Sequence, residues 1–298
     1  MRGTTTRRRF LLVAGSGVAG VALGAGSTVA RGGMSGAAPA APVARSERQL
    51  RDLQGAAHAE REPARLGTHR VIWSTTTSQP LAALTFDDGP TPEYTPRILA
   101  ALSAAGVTAT FNVMGRNAVA HPELLREMAA AGHEIGNHTW THRNVTELTP
   151  AETRTQIVRC RDEVERLLQQ PLAGFRPPRG ELTGYALRVC AELGYDVWMW
   201  SCSRGPSGVS TPEAVADHVG SVTDAGAVVD LHDGLGRGTF HPGASFAHVL
   251  ADRREVEVRA LPTILQRIAD RGITLTTATG LLAASAPEPI GGSAGTGP

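Results

Sequence analysis

No lysine occurs anywhere in the 298 residues, and all 29 basic side chains are arginine. With abundant alanine and glycine, that usage follows GC-rich coding and selects no function. Cysteine is almost as scarce. Cys160, Cys190 and Cys202 permit at most one disulfide and leave one thiol over, with the pairing of Cys190 and Cys202 open. None stands in a C-x-x-C spacing, which removes support for a zinc ribbon or a redox pair. An excess of either charge is missing too. The formal net charge is +1, so the cationic surface of a general nucleic-acid binder is absent. The small-residue apolar stretch from Val13 to Ala25 is short and glycine-bearing, which argues against a stable membrane span. The first cysteine after it is Cys160, which excludes a lipoprotein anchor.

What stands before that stretch is informative. Thr6-Arg7-Arg8-Arg9-Phe10-Leu11-Leu12 is a twin-arginine signature, and Thr28-Val29-Ala30 and Ala38-Pro39-Ala40 offer small-residue cleavage sites. An ordinary basic tail is the plainer alternative. The expectation is an extracytoplasmic protein, secreted or in the cell envelope, with residues 1–30 a signal peptide read by the twin-arginine translocase. Removing them takes four arginines and no acid, which leaves the mature chain slightly negative. Residues 31–68, rich in Ala, Pro and Arg, read as a linker. Residues 69–285 read as one folded domain, and 286–298 as a disordered Pro/Gly/Ser/Ala tail.

Within the domain, apolar runs alternate with helical periodicity. Strands are predicted at Val71–Thr75, Leu81–Phe86, Val107–Val113, His133–Gly136, Asp196–Ser201, Ala227–Leu231 and Ile273–Thr276. Helices are predicted at Thr95–Ala105, Pro122–Ala131, from the capping box Thr149-Pro150-Ala151-Glu152, at 183–193, from Thr211, and at 256–271. That order implies an α/β fold with a parallel sheet covered by helices, and the number of units suits a barrel better than an open sheet.

The segment Thr85-Phe86-Asp87-Asp88-Gly89-Pro90 ends the second strand on two adjacent carboxylates. It reads equally as a capped turn or as a site at the mouth of the sheet. His138-Thr139-Trp140-Thr141-His142 follows another strand end and places two imidazoles four residues apart. Two imidazoles and one carboxylate make a three-donor metal site with open positions, although a lone His-x-x-x-His is weak by itself. A water on such a metal becomes acidic near neutral pH, and an unligated carboxylate beside it can serve as base. Val228-Val229-Asp230-Leu231-His232-Asp233-Gly234 again brings polar groups to a strand terminus, and His232 is either a candidate acid or an exposed turn histidine. His133 and His121 read as packing and helix-start residues, while His241 and His248 fall in a 235–255 insertion beside the groove. Trp200, nearest its strand end, is a candidate sugar-stacking ring, and Trp198 reads equally as core.

Thr85–Pro90, His138–His142, Arg176-Pro177-Pro178-Arg179-Gly180 and Leu231–Asp233 stand in the order and near the spacing of the NodB-homology polysaccharide deacetylases. These are the metal-dependent carbohydrate esterases of family four, and the chain resembles them from about residue 69 to 284. The resemblance implies a single-domain, distorted (β/α)7-type barrel that removes N- or O-acetyl groups from a polymeric sugar. It implies Asp87 as catalytic base and Asp88, His138 and His142 as ligands of a divalent metal, usually Zn2+, with Co2+ or Ni2+ alternatives. It also implies Arg176 orienting Asp87, the Arg179 main-chain N–H at the oxyanion, and His232 as the acid. The implied partner is an acetylated polysaccharide or oligosaccharide. The near-zero net charge speaks against nucleic acid, and the oligomeric state is left open with a monomer as the expectation. An O-acetyl esterase on xylan and a non-catalytic carbohydrate-binding relic are the alternatives. Two positions depart from the pattern. Arg179 stands where the family usually has an aromatic residue, and Ser203 stands where an Asp pairs with the catalytic His. Strand alternation puts Asp230 on the same face as His232, so Asp230 is expected as the substitute partner, with an arginine salt bridge elsewhere as the alternative.

Overall fold

The computed structural model describes residues 69–206 and 209–285, so the expected signal, linker and tail lie outside it. Strand β1 is Val71–Ile72 and β2 is Leu81–Asp87, whose residues after Leu81 are all buried. Burial on both faces is why β2 reads as a continuous apolar run rather than an alternating one. Helix α1, Thr95–Ala105, buries Ile98, Leu99 and Leu102 and ends on Gly106 with φ 65°. The strand β3 is Thr110–Val113, helices α2 and α3 are Gly115–Ala120 and Pro122–Ala130, and β4 is Glu134–Asn137. The short α2 was not expected. Helix α4, Pro150–Leu168, begins on the expected capping box, with Thr149 and Glu152 bonding reciprocally.

Helix α5 is Gly184–Leu193, β5 is Val197–Trp198, β6 is Cys202–Ser203 and α6 is Pro212–Val222. The chain closes with β7 (Val228–His232), α7 (Ser245–Asp270), β8 (Thr274–Thr276) and α8 (Ala278–Ala283).

The strands form a distorted parallel barrel around β2. Along one edge β2 takes β7, from Ala83↔Val228 to Asp87↔His232. Along the other it takes β8 at its start, Leu81↔Thr274, and β3 at its end, Asp87↔Asn112. β4 follows β3, and Phe175 bridges Asn137 to Val197. The expected strand at Asp196–Ser201 is two short strands because this stretch changes neighbours. The Met199 N–H donates to Ile72 at 2.7 Å, whereas the Ser201 N–H donates to Val228 at 3.0 Å. One stretch thereby serves β1 first and β7 afterwards, which closes the ring.

Helix α7 departs furthest from expectation. It starts at Ser245, about three turns before the predicted start, and carries Pro262 inside it. The charged run Asp252-Arg253-Arg254-Glu255 resembles a solvated surface and hid the first turns of a helix that buries Arg254 and Glu257. Pro262, by contrast, lies inside the predicted helix and does not end it. Trp198 is core, against Ile72, Ala83 and Val228, and the three cysteines are buried free thiols. Among the described residues no helix is long and apolar enough to cross a membrane.

Candidate metal and catalytic site

The C-terminal ends of β2, β3, β4 and β7 converge on one cavity of about 850 Å³, the end at which parallel sheets keep ligands. Asp87 closes β2, and Asp88 takes a left-handed backbone, φ 82°, which turns the second carboxylate to the same centre. The loop after β4 does likewise, with Thr139 at φ 67° and His142 at φ 54°. Asn137 steadies this loop by accepting from the Thr139 N–H at 2.9 Å. Gly89 cannot carry a side chain, since a Cβ there would fall on the Asp233 carboxylate. That carboxylate instead accepts from the Gly89 N–H at 2.9 Å and the Thr95 hydroxyl at 2.7 Å. Burial is the main reason the Asp233 pKa rises to about 7, and the nearby Asp88 charge adds to it.

Asp88, His138 and His142 offer three donor atoms within 4.8 Å of one another. The Nε2 atoms of His138 and His142 lie 3.5 and 3.3 Å from Asp88 Oδ1. That oxygen is buried and has no hydrogen-bond partner. An orphaned carboxylate oxygen facing two imidazole nitrogens is costly unless a cation sits among them. His138 Nδ1 lies 2.8 Å from the Arg176 carbonyl, so it donates there and presents Nε2 as a bare donor. Burial drives the His142 pKa down to about 4, which keeps that ring neutral and able to ligate. The donor set fits a divalent metal.

Asp87 stands outside that trio. Its Oδ1 accepts from Asn112 Nδ2 at 2.8 Å, and Arg176 Nη1 approaches its two oxygens at 3.2 and 3.1 Å. Burial opposes the Asp87 charge, yet Arg176, His138 and His232 together hold its pKa below the usual value. Arg176 is fully buried. It also donates to Thr85 Oγ1, the Trp198 carbonyl, the Met199 carbonyl and Asp230 Oδ1. Arg179, at φ 60°, and Trp200 line the cavity. So does His241, whereas His133 accepts from the Ala109 N–H and packs its ring against Phe111.

Asp230 and His232 share a face as expected but meet only as a long ion pair, 4.0 Å from Asp230 Oδ2 to His232 Nε2 and beyond hydrogen-bond range. Asp230 Oδ1 takes Arg176 Nη1 at 2.8 Å, the arginine salt bridge given as the alternative. A permanently ionised guanidinium in the barrel centre outcompetes a titrating imidazole for the carboxylate. The His232 Nδ1 instead meets Glu257 Oε2 of α7 at 3.2 Å. Burial raises the Asp230 pKa to about 6, helped by the neighbouring Asp87.

Sequence reasoning missed Asn112, Asn117, Arg254 and Glu257. A polar residue in the apolar run of β3 could have flagged Asn112. Asn117 Nδ2 donates to the Asp88 carbonyl from a helix that was not foreseen.

Comparison with known proteins agrees with this geometry. Residues 74–198 match the family model described as polysaccharide deacetylase. A peptidoglycan-N-acetylglucosamine deacetylase of Bacillus cereus is 30% identical over 217 residues, 72% of this chain and 94% of the relative. A chitooligosaccharide deacetylase of Bradyrhizobium is 33% identical over 193 residues, 64% of this chain and 86% of the relative. The crystal structure of a peptidoglycan N-acetylglucosamine deacetylase in complex with an N-oxidanyl-benzamide superposes with a TM-score of 0.63. It is 28% identical, over 73% of this chain and 94% of that one. Fold, site and relatives together lead to one assignment: the chain belongs to the polysaccharide deacetylase family of hydrolases.

Proposed function

We propose that this protein removes acetyl groups from an N-acetylated polysaccharide, chitin-like or peptidoglycan glycan, with the help of a divalent metal, zinc by preference. The observation that carries the reading is the orphaned Asp88 Oδ1 between two imidazoles, with a second, arginine-held carboxylate, Asp87, beside it. Asp88, His138 and His142 would hold the cation, which when bound supplies a Lewis acid for the acyl oxygen and acidifies water.

The remaining chemistry belongs to the chain. Asp87 takes the proton of the attacking water, and Arg176 and Asn112 fix its oxygens for that transfer. The Arg179 main-chain N–H, at the cavity rim, meets the developing oxyanion. His232 gives its proton to the departing nitrogen as the carbon–nitrogen bond breaks, releasing acetate and the free amine. Trp200 offers a ring to the sugar face. The residues before the domain supply a twin-arginine address, so the substrate is met outside the cytoplasm. Fractionation of cells carrying Arg7→Lys and Arg8→Lys should retain the protein inside, and normal export of that variant would contradict the address.

Acetate release from chitooligosaccharide, peptidoglycan glycan and acetylated xylan, measured with and without chelator, tests the activity. Release from an N-acetylated glycan that stops on chelation and returns with zinc is expected. Release from xylan alone would indicate an O-acetyl esterase, and none from any glycan by metal-loaded protein would indicate a binding relic.

A further inference from the structure

The strand position that lacks a carboxylate, Ser203, lies opposite Asp230 in register, and Asp230 is committed to Arg176. Among the described residues the barrel strands therefore give His232 a long ion pair to Asp230 and no hydrogen-bond partner. We propose that Glu257, carried by helix α7 outside the barrel wall, is the residue that positions His232. This deepens the deacetylase reading and rests on it.

The geometry is specific. Glu257 Oε2 stands 3.2 Å from His232 Nδ1, and its side chain is buried. Its other oxygen takes Arg254 Nη1 at 2.8 Å, one helical turn back, and lies 3.1 Å from Arg204 Nε. Arg254 in turn donates through Nη2 to Asp88 Oδ2 at 3.3 Å and through Nε to the Gly234 carbonyl. A run of ion pairs thus leads from the acid histidine through Glu257 and Arg254 to a metal-facing carboxylate. Each side chain has a separate task. Arg254 engages Oδ2 of Asp88 and leaves Oδ1 to the cation site. Glu257 accepts a hydrogen bond from His232 Nδ1, which leaves Nε2 as the atom that must deliver a proton to the leaving group.

The groups around His232 come from four places. Glu257 and Arg254 approach from α7, and Asp230 lies on its own strand. Asp87 and Asp88 stand at the end of β2, and His142 lies in the loop after β4. Burial and Arg254 work against the imidazolium, while Glu257 and Asp230 favour it strongly enough to place its pKa at about 9. A like-shaped but uncharged residue at 257 removes the nearest favourable charge and keeps an acceptor for Nδ1.

The test is a nuclear magnetic resonance titration of His232 in the full-length, metal-loaded protein and in its Glu257→Gln variant, with pH–rate profiles of both. The wild-type midpoint is expected above that of E257Q, because the variant loses the charge that favours the imidazolium. The alkaline limb of kcat/KM should follow the midpoint. At pH 8, kcat should fall by about 10- to 100-fold, the usual cost of losing an orienting partner, with KM nearly unchanged. An unmoved midpoint and limb in folded E257Q would overturn the proposal. Should E257Q not fold, a wild-type midpoint at or below the ordinary value of 6.5 in both the metal-loaded and the chelator-treated protein would overturn it equally. The titration needs no turnover. A wild type that releases no acetate therefore contradicts the deacetylase reading while leaving the placement of Glu257 to be decided by the midpoint alone.

Discussion

Replacing Asp87 by asparagine should lower kcat/KM for acetate release by about 10²- to 10⁴-fold, the range of a lost general base, while bound metal stays at the wild-type stoichiometry. The two adjacent aspartates make this a sharp experiment. Asp88 faces His138 and His142, whereas Asp87 is held from behind by Arg176 and Asn112. Asparagine keeps the size of the side chain and can still meet Arg176 through its carbonyl, so the barrel should survive. Atomic absorption on the purified variant separates the two roles. Loss of metal together with activity would show that Asp87, not only Asp88, is a ligand. Retained activity would remove Asp87 from the chemistry altogether.

The largest effect on stability should come from Arg176. It is wholly buried and reaches two carboxylates, one hydroxyl and two main-chain carbonyls. Methionine fills much the same space but leaves Asp87 and Asp230 buried together without a counter-charge. Breaking a buried ion pair from one side costs about 3–5 kcal/mol. In a domain of this size that is roughly 6 to 20 °C in Tm, measurable by thermal denaturation followed with circular dichroism. The sign of the pH response adds a check. Without the guanidinium, both carboxyls take up protons more readily when folded than when unfolded, so R176M should gain stability relative to wild type as the pH falls. A melting temperature within a degree or two of wild type would mean that the network contributes little.

How much of this was legible beforehand differs from one residue to the next. Asp87, Asp88, His138 and His142 could be found because each closes a short apolar run, and a polar residue at a strand end is conspicuous. Arg176 belonged to a recognisable run of its own. Their shared centre could not be read from spacing, since it depends on left-handed backbone at Asp88, Thr139 and His142. Glu257 was out of reach for another reason. Residues 252–257 are all charged except Val256, much as a solvated helix face is, and nothing local reveals that Arg254 and Glu257 point into the fold. The Asp230 expectation was met in face but only at 4.0 Å from His232, because alternation gives the face of a strand and not the winner among competing partners.

The left-handed positions have one more implication. Asp88, Thr139, His142 and Arg179 all hold a conformation that side-chain-bearing residues avoid, and all four border the same cavity or its loops. Such strain costs on the order of 1–3 kcal/mol per residue and persists only where the surroundings impose it. The resting protein therefore already carries the distortion that a more relaxed loop would have to acquire on meeting a sugar. Affinity is then set by contact alone rather than by contact less a reorganisation penalty, and the debt appears as a lower margin against heat. Among relatives with the same loops, the more thermostable ones would be expected to relieve strain at Thr139 first, since of the four it alone presents neither a donor to the cation nor a group to the substrate, its hydroxyl serving to accept the His142 N–H.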